Sequence, residues 1–181
     1  MTPKIYPGML DTRIEYFRQA GSVWKMYGGK VKAFADTDHP ELEKIINDDP
    51  VLADVLSEMC WGDHFLMLQT LAECRFGGLN FTPDFDEYGK SNHDFIDCPL
   101  RGRCRGENIV CHPLMINGVE TSIKELEILR RCASDEKNTA IADSLNMPEG
   151  TFNVLKNETY KKLRIPTKQH LAITLTNEGL L

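Results

Sequence analysis

Ser122-Ile123-Lys124-Glu125-Leu126-Glu127-Ile128-Leu129-Arg130-Arg131-Cys132-Ala133, followed by Asn138-Thr139-Ala140-Ile141-Ala142-Asp143-Ser144-Leu145-Asn146-Met147-Pro148-Glu149-Gly150-Thr151-Phe152, is the stretch that decides the fold. Ser122 and Glu125 form a capping box: the serine accepts from a free backbone N–H, and the glutamate three residues on reaches back to the cap. Behind that start, Leu126, Ile128, Leu129 and Cys132 make the apolar stripe of a helix ending near Ala133-Ser134-Asp135. Asn138 is placed to cap a second helix whose Ile141, Ala142 and Leu145 face inward. Asn146 to Gly150 then reads as a turn, with proline and glycine interrupting helical continuity. Thr151 opens a third helix with Phe152, Thr159 and Leu163 on one face, and Pro166 ends it. A fourth is expected over about 167–177, with Leu171, Ala172 and Leu175 on one side.

Two helices joined by a tight turn, the second with an apolar back and a polar front, is what helix-turn-helix recognition of DNA needs. Periodicity alone does not single that motif out. The matched residues do more. Glu125, Glu127, Ile128, Leu129 and Ala133 in the first helix resemble the LuxR-type (GerE-type) domain. So do Asn138, Ile141, Ala142 and Leu145 in the second, Thr151-Phe152 and Lys162-Leu163 in the third, and the terminal Gly179-Leu180-Leu181. The resemblance runs without a gap from about Thr121 to Leu181, a third of the chain. Three positions depart from it: Asn153 stands where the family usually has a basic residue, Leu155 where it has histidine, and Asp135 where it commonly has glycine.

The resemblance implies a four-helix domain that binds double-stranded DNA through the front of its third helix, here Asn153, Val154 and Asn157. Asparagine suits an adenine edge, and valine a thymine methyl. Lys156, Lys161, Lys162 and Lys168 are the candidate phosphate contacts. The family's pairing through its last helix implies a homodimer, with Leu171 and Leu175 as the expected contact. RNA polymerase is a further candidate partner, either beside DNA or in place of it if the third helix has drifted toward binding protein.

The charge balance agrees only partly. The chain of 181 residues has 21 Lys+Arg against 27 Asp+Glu, a net of −6. From Glu120 to Leu181 there are 9 of each, so the whole imbalance lies upstream, where 12 face 18. A neutral binding domain has a weak nonspecific grip, because that affinity comes mainly from phosphate contacts. No run approaches the roughly 18 apolar residues of a membrane span. Met1-Thr2-Pro3-Lys4-Ile5-Tyr6-Pro7 has no apolar core, so it is no secretory signal, and a cytoplasmic protein is expected.

Up to about Arg75 the chain reads as mostly helical. Pro40 to Ile46 starts with acids in its first turn, and Asp49-Pro50 places an N-cap before a first-position proline. Trp61 to Cys74 forms a third apolar run, stopped by Gly77-Gly78. Gly28-Gly29 between Val/Trp/Tyr and Val/Phe suggests a hairpin over 21–34. From Gly77 to about Pro113 the pattern dissolves into Gly, Pro, Asp, Asn and Cys, a length that needs something to order it.

Within that segment Cys98, Cys104 and Cys111 stand in a C-x5-C-x6-C array followed by His112. In a reducing compartment such thiols bind metal more often than they pair. Cys74, or alternatively His112, would complete a tetrahedral set. Cys132 reads as core filler. The spacing is similar to the cysteine loop of iron–sulfur regulators of the Rrf2 type. Zinc as a structural staple is the first expectation, an iron–sulfur cluster the alternative, and unligated thiols the third. Arg101, Arg103 and Arg105 would lower thiol pKa values or reach phosphates.

No phosphate-cradling loop, His-Glu-x-x-His or nucleophile elbow is present. His64 beside Asp63 reads as a structural histidine, and Asp84-Phe85-Asp86-Glu87 as a solvated loop. The expectation is therefore a non-enzymatic, mainly α protein in two parts. An N-terminal helical region, 1–115, contains an irregular Cys-rich segment, 74–112, and supplies the input. A helix-turn-helix domain, 120–181, follows. A metal-dependent enzyme in the N-terminal part is the rival from another class.

Overall fold

The computed structural model describes residues 5–178 and 180–181. Met1 to Lys4 and Gly179, which belong to the N-terminal and terminal Gly-Leu-Leu readings above, lie outside it. The chain divides into two compact units, one reaching to His112 and the other starting at Pro113.

The first unit opens with a three-stranded sheet, larger than the hairpin expected over 21–34 in a mostly helical region. Strands β1 (Glu15–Gln19), β2 (Ser22–Tyr27) and β3 (Lys30–Ala33) form an antiparallel meander. Two tight turns make it. Ala20-Gly21 has φ of 51° and 79°, and Gly28-Gly29 has 58° and 77°, the pair of left-handed residues that matches strand twist. The second hairpin is the one Gly28-Gly29 signalled. The first was hidden because alanine is a poor turn residue.

Three helices follow: α1 (Pro40–Asp48), α2 (Pro50–Met59) and α3 (His64–Arg75). Asp49 and Asp63 cap the latter two, accepting from the N–H of Leu52 and Leu66. Tyr16, Leu42, Leu52, Leu56, Leu71 and Phe76 are fully buried in the shared core. Each large side chain so buried contributes about 1.5–3 kcal/mol. His64 is not a packed structural histidine. Its side chain is 65% exposed, with Nε2 3.6 Å from Glu43.

Residues 77–112 have no long strand or helix, and side chains supply what backbone ladders supply elsewhere. Ile14 and Phe85 exchange both backbone hydrogen bonds, at 3.0 and 3.2 Å, and Arg18 N–H donates to the carbonyl of Gly77. The irregular segment thus runs along the outer edge of β1. Asp94 accepts from the Gly78 N–H and the Asn80 amide, while the Asn80 N–H donates to Glu15. Asp84 accepts from the Tyr16 N–H at 2.5 Å. Asp84 and Phe85 are therefore core residues, not a solvated loop, since β1 needs an acceptor there.

The second unit begins with a ribbon, β4 (Met115–Ile116) and β5 (Val119–Glu120), turned at Asn117-Gly118. The four expected helices follow as α4 (Ile123–Ala133), α5 (Asn138–Ser144), α6 (Glu149–Lys162) and α7 (Lys168–Asn177). The Ser122–Glu125 capping box is formed in both directions. Two boundaries differ from expectation. Lys137 is the N-cap of α5, so Asn138 is already helical, and α6 starts at Glu149, before Thr151. α6 stops before Pro166 is reached, because Arg164 turns left-handed at φ 56° and the Ile165 N–H closes back on Tyr160. Buried Leu126, Leu129, Ile141, Phe152, Leu163 and Leu171 are among its core residues. Cys132, at 5% exposure, belongs with them.

Candidate functional site

α5 and α6 pack on each other, and α4 touches both. The reason lies in the sequence of α6. Phe152, Thr159 and Leu163, at i, i+7 and i+11, are all buried, so the opposite face is turned out. That outward face carries Gly150, Val154, Asn157 and Lys161, themselves spaced by four, three and four. All four are exposed, Val154 by 58%. Nothing stands within 4 Å of where a Cβ on Gly150 would lie, so the start of this stripe is open. Gly150 is a front position that reading the apolar stripe alone did not single out.

The expected contact residues separate into two groups on this helix. Val154, Asn157 and Lys161 lie on the front. Asn153 is half-buried at its flank, and its side-chain oxygen accepts from the Asn138 amide at 3.2 Å. That bond ties α5 to α6 and occupies part of the acceptor an adenine edge would use. Lys162 bonds both carboxylate oxygens of Glu125, at 2.8 and 3.0 Å. Burial pushes the Glu125 carboxyl up, but hydrogen bonds from Lys162 and Ser122 outweigh it and hold the pKa below the ordinary value. Lys162 is therefore a strut between α4 and α6. Lys156 lies on the half-buried side. It and Lys168 both act electrostatically on Cys132. Lys168 is exposed at the first turn of α7. Leu171 and Leu175 are fully buried in this unit and are not available to a second copy. The exposed apolar residue of α7 is Ile173, at 63%.

Residues 121–175 match the family model described as bacterial regulatory proteins, luxR family. The second unit carries a luxR-family helix-turn-helix domain. Comparison with curated proteins finds no match, and comparison with solved structures finds none either. Among the described residues, no helix is long and apolar enough to cross a membrane. The luxR-family match extends through α4, α5 and α6 and most of α7, so the outward stripe of α6 lies within the matched residues.

The first unit contains a different constellation. Cys74, near the end of α3, lines one cavity of about 270 Å³ together with Cys98, Cys104 and Cys111. Local structure explains the convergence. Cys98 and Cys104 each start a tight turn, closed by Arg101 N–H to the Cys98 carbonyl and Glu107 N–H to the Cys104 carbonyl. Gly106 lies so close to Met59 and Val110 that a Cβ there would meet each at 2.8 Å, so the second turn seats directly on α2. Arg75 donates to the carbonyls of Val110 and Ile109, at 2.8 and 2.6 Å, and anchors the chain just before Cys111. Burial first, and then the nearby Cys111, Cys98 and Cys104, push the Cys74 thiol up to about 12. That is opposite to the lowering expected from the loop arginines.

Those arginines are otherwise engaged. Arg101 lies over the Phe95 ring and donates to the carbonyl of His112, and Arg105 pairs with Glu58. His112 stacks on His93 with ring centroids 3.7 Å apart. Burial, helped by His112 and Arg75, lowers the His93 pKa to about 4, and burial also lowers that of His112. Both rings are neutral at pH 7. Among the described residues, no group of three or more His, Cys, Asp or Glu side chains is arranged to hold a metal ion.

Proposed function

We propose that this protein is a cytoplasmic transcription regulator that binds double-stranded DNA sequence-specifically through the front of α6, as a homodimer. The division of labour follows the chain. Residues 120–181 bind DNA, and residues 1–115 supply an input through the four thiols. The observation that supports it best is the exposed stripe of Gly150, Val154, Asn157 and Lys161 on α6 within a luxR-family domain. An open glycine lets the backbone approach the groove, valine suits a thymine methyl, asparagine an adenine edge and lysine a phosphate. Lys161, Arg164 and Lys168 are all exposed and form the basic border of this surface. Lys156 and Lys162 are assigned to holding the scaffold.

Because Lys+Arg and Asp+Glu balance from Glu120 onward, a single copy grips DNA weakly. Pairing of two copies, with Ile173 in the contact, doubles the phosphate contacts and presents two reading helices about 34–36 Å apart. The test is fluorescence anisotropy of a labelled random-sequence duplex titrated with the full chain at several salt concentrations. Binding that weakens linearly in log salt is expected, with a shallow slope of about −2 to −4 for few phosphate contacts. Absence of binding at the lowest salt overturns the assignment and leaves protein, with RNA polymerase as the first candidate, as what this surface recognises.

A further inference from the structure

We infer that the cavity between Cys74, Cys98, Cys104 and Cys111 holds an iron–sulfur cluster ligated by all four sulfurs, and not a single zinc ion. The inference deepens the ligand reading of these thiols and does not depend on DNA binding. Two observations carry it.

The first is size. A zinc ion with four Zn–S bonds of about 2.3 Å draws its sulfurs to within about 4 Å of one another and leaves no space between them. The cavity lined by these thiols is about 270 Å³, the volume of roughly nine waters at about 30 Å³ each. The four cysteines face this one cavity from the end of α3 and from three points along residues 98–111. A core of several iron and sulfide atoms, bound by one cysteine at each corner, needs four sulfurs spread around a space.

The second is the lining. Met59, Ile96, Leu100 and Val110 give the cavity an apolar wall that keeps water from a hydrolysable core. Arg18 and Arg101 also line it, and they offset the negative charge of four thiolates. Arg101 is fixed by its contacts with Phe95 and the His112 carbonyl. On assembly, four Cys S–H bonds are replaced by four Fe–S bonds, and four protons leave to solvent. Sulfide and iron, the latter already carrying the ferric share that the core requires, come from outside the chain, so ligation itself transfers no electrons to or from the cysteines.

The experiment is anaerobic purification of the full chain from iron-supplemented cells. Iron, acid-labile sulfide and zinc are then measured along with the visible spectrum. Protein isolated without iron is treated anaerobically with ferric iron and sulfide under excess dithiothreitol, which reduces the part of the iron that must be ferrous, and is measured again. Expected is a brown protein with iron and sulfide in equal amounts, about two or about four of each per chain. Cys98→Ser and Cys104→Ser should each lose most of the visible absorbance. The far-ultraviolet circular dichroism of each variant shows whether the fold survives. A colourless protein with one zinc per chain overturns the inference, as does one that takes up neither iron nor sulfide after reconstitution. Full cluster content in the Cys74→Ser variant overturns the assignment of that ligand. The anisotropy titration with DNA is scored separately, so loss of the cluster assignment and loss of DNA binding are distinguishable.

Discussion

From Pro113 onward, backbone polar groups are satisfied mostly inside helices, and two of the four helix starts are capped by nearby side chains, Ser122 with Glu125 at α4 and Thr167 at α7. In residues 77–112, short local turns are joined by side chains distant in sequence: Glu15 for Asn80, Arg75 for Ile109 and Val110. Each region is accordingly vulnerable to a different kind of change. The helical unit depends on apolar packing and tolerates changes on its outer face. The irregular segment depends on individual polar side chains, several of them buried carboxyls.

The largest effect should come from the packed side of that contrast. Phe152→Ala removes a fully buried ring beneath the α6 front and is expected to cost about 3–5 kcal/mol. Thermal denaturation of the full chain should show it as early loss of part of the helical signal, with the first unit still folded. A single unchanged transition would mean that α6 is not held by its apolar back.

Changes on the outward face should separate stability from binding. Val154→Ala and Asn157→Ala each leave the melting temperature within a degree or two, while affinity for a preferred duplex falls by about 1–3 kcal/mol. A pair of variants that melt early and bind normally would reverse the assignment of that face.

The irregular region should respond to pH instead. Burial raises the Glu15 carboxyl to about 8, against the pull of its hydrogen bond from Asn80, and nearby Asp94 adds to the rise. Burial raises Asp94 itself to about 6. Asp84, wholly buried with one oxygen lacking a partner, also moves up. In the fold Glu15 stays neutral up to about pH 8 and Asp94 up to about pH 6, whereas both ionise near pH 4 when unfolded. Their contribution is therefore full below that pH and is lost as pH rises through about 6 and then 8. The first unit should melt several degrees higher at pH 5 than at pH 8. Glu15→Gln should flatten that dependence, and an equally steep profile in the variant would show that Glu15 is not the titrating group.

The smallest effect distinguishes two neighbouring lysines. Lys161→Ala should reduce the salt slope of DNA binding by about one. Lys162→Ala should leave the slope unchanged and cost at most about 1 kcal/mol of stability through its lost pair with Glu125. Equal slopes for both would return Lys162 to the phosphate contacts.

The same contrast explains what could be read beforehand. The helices from Ser122 on were legible because capping and apolar spacing are local, as were Asp49-Pro50 and Gly28-Gly29. The β1–β2 hairpin was not, because Ala20 occupies a left-handed turn position that usually marks itself with glycine or asparagine. Asn117-Gly118 did carry that mark, between strands too short to notice. Asp84 looked solvated because its charge was visible, while the Tyr16 N–H that requires it was 68 residues away. At the candidate sites, the four cysteines could be named from spacing and position, but the cavity they share could not. The α6 front was legible as a face. The roles of Asn153 and Lys162 were not, since each depends on a partner in another helix.

The most direct test of DNA reading by α6 is selection of bound sequences from a random duplex pool, first with the full chain and then with Asn157→Ala. The expected result is an enriched sequence for the parent protein, with preference relaxed at one or two base pairs in the variant. An identical enriched sequence from both, or no enrichment by the parent protein, would contradict it.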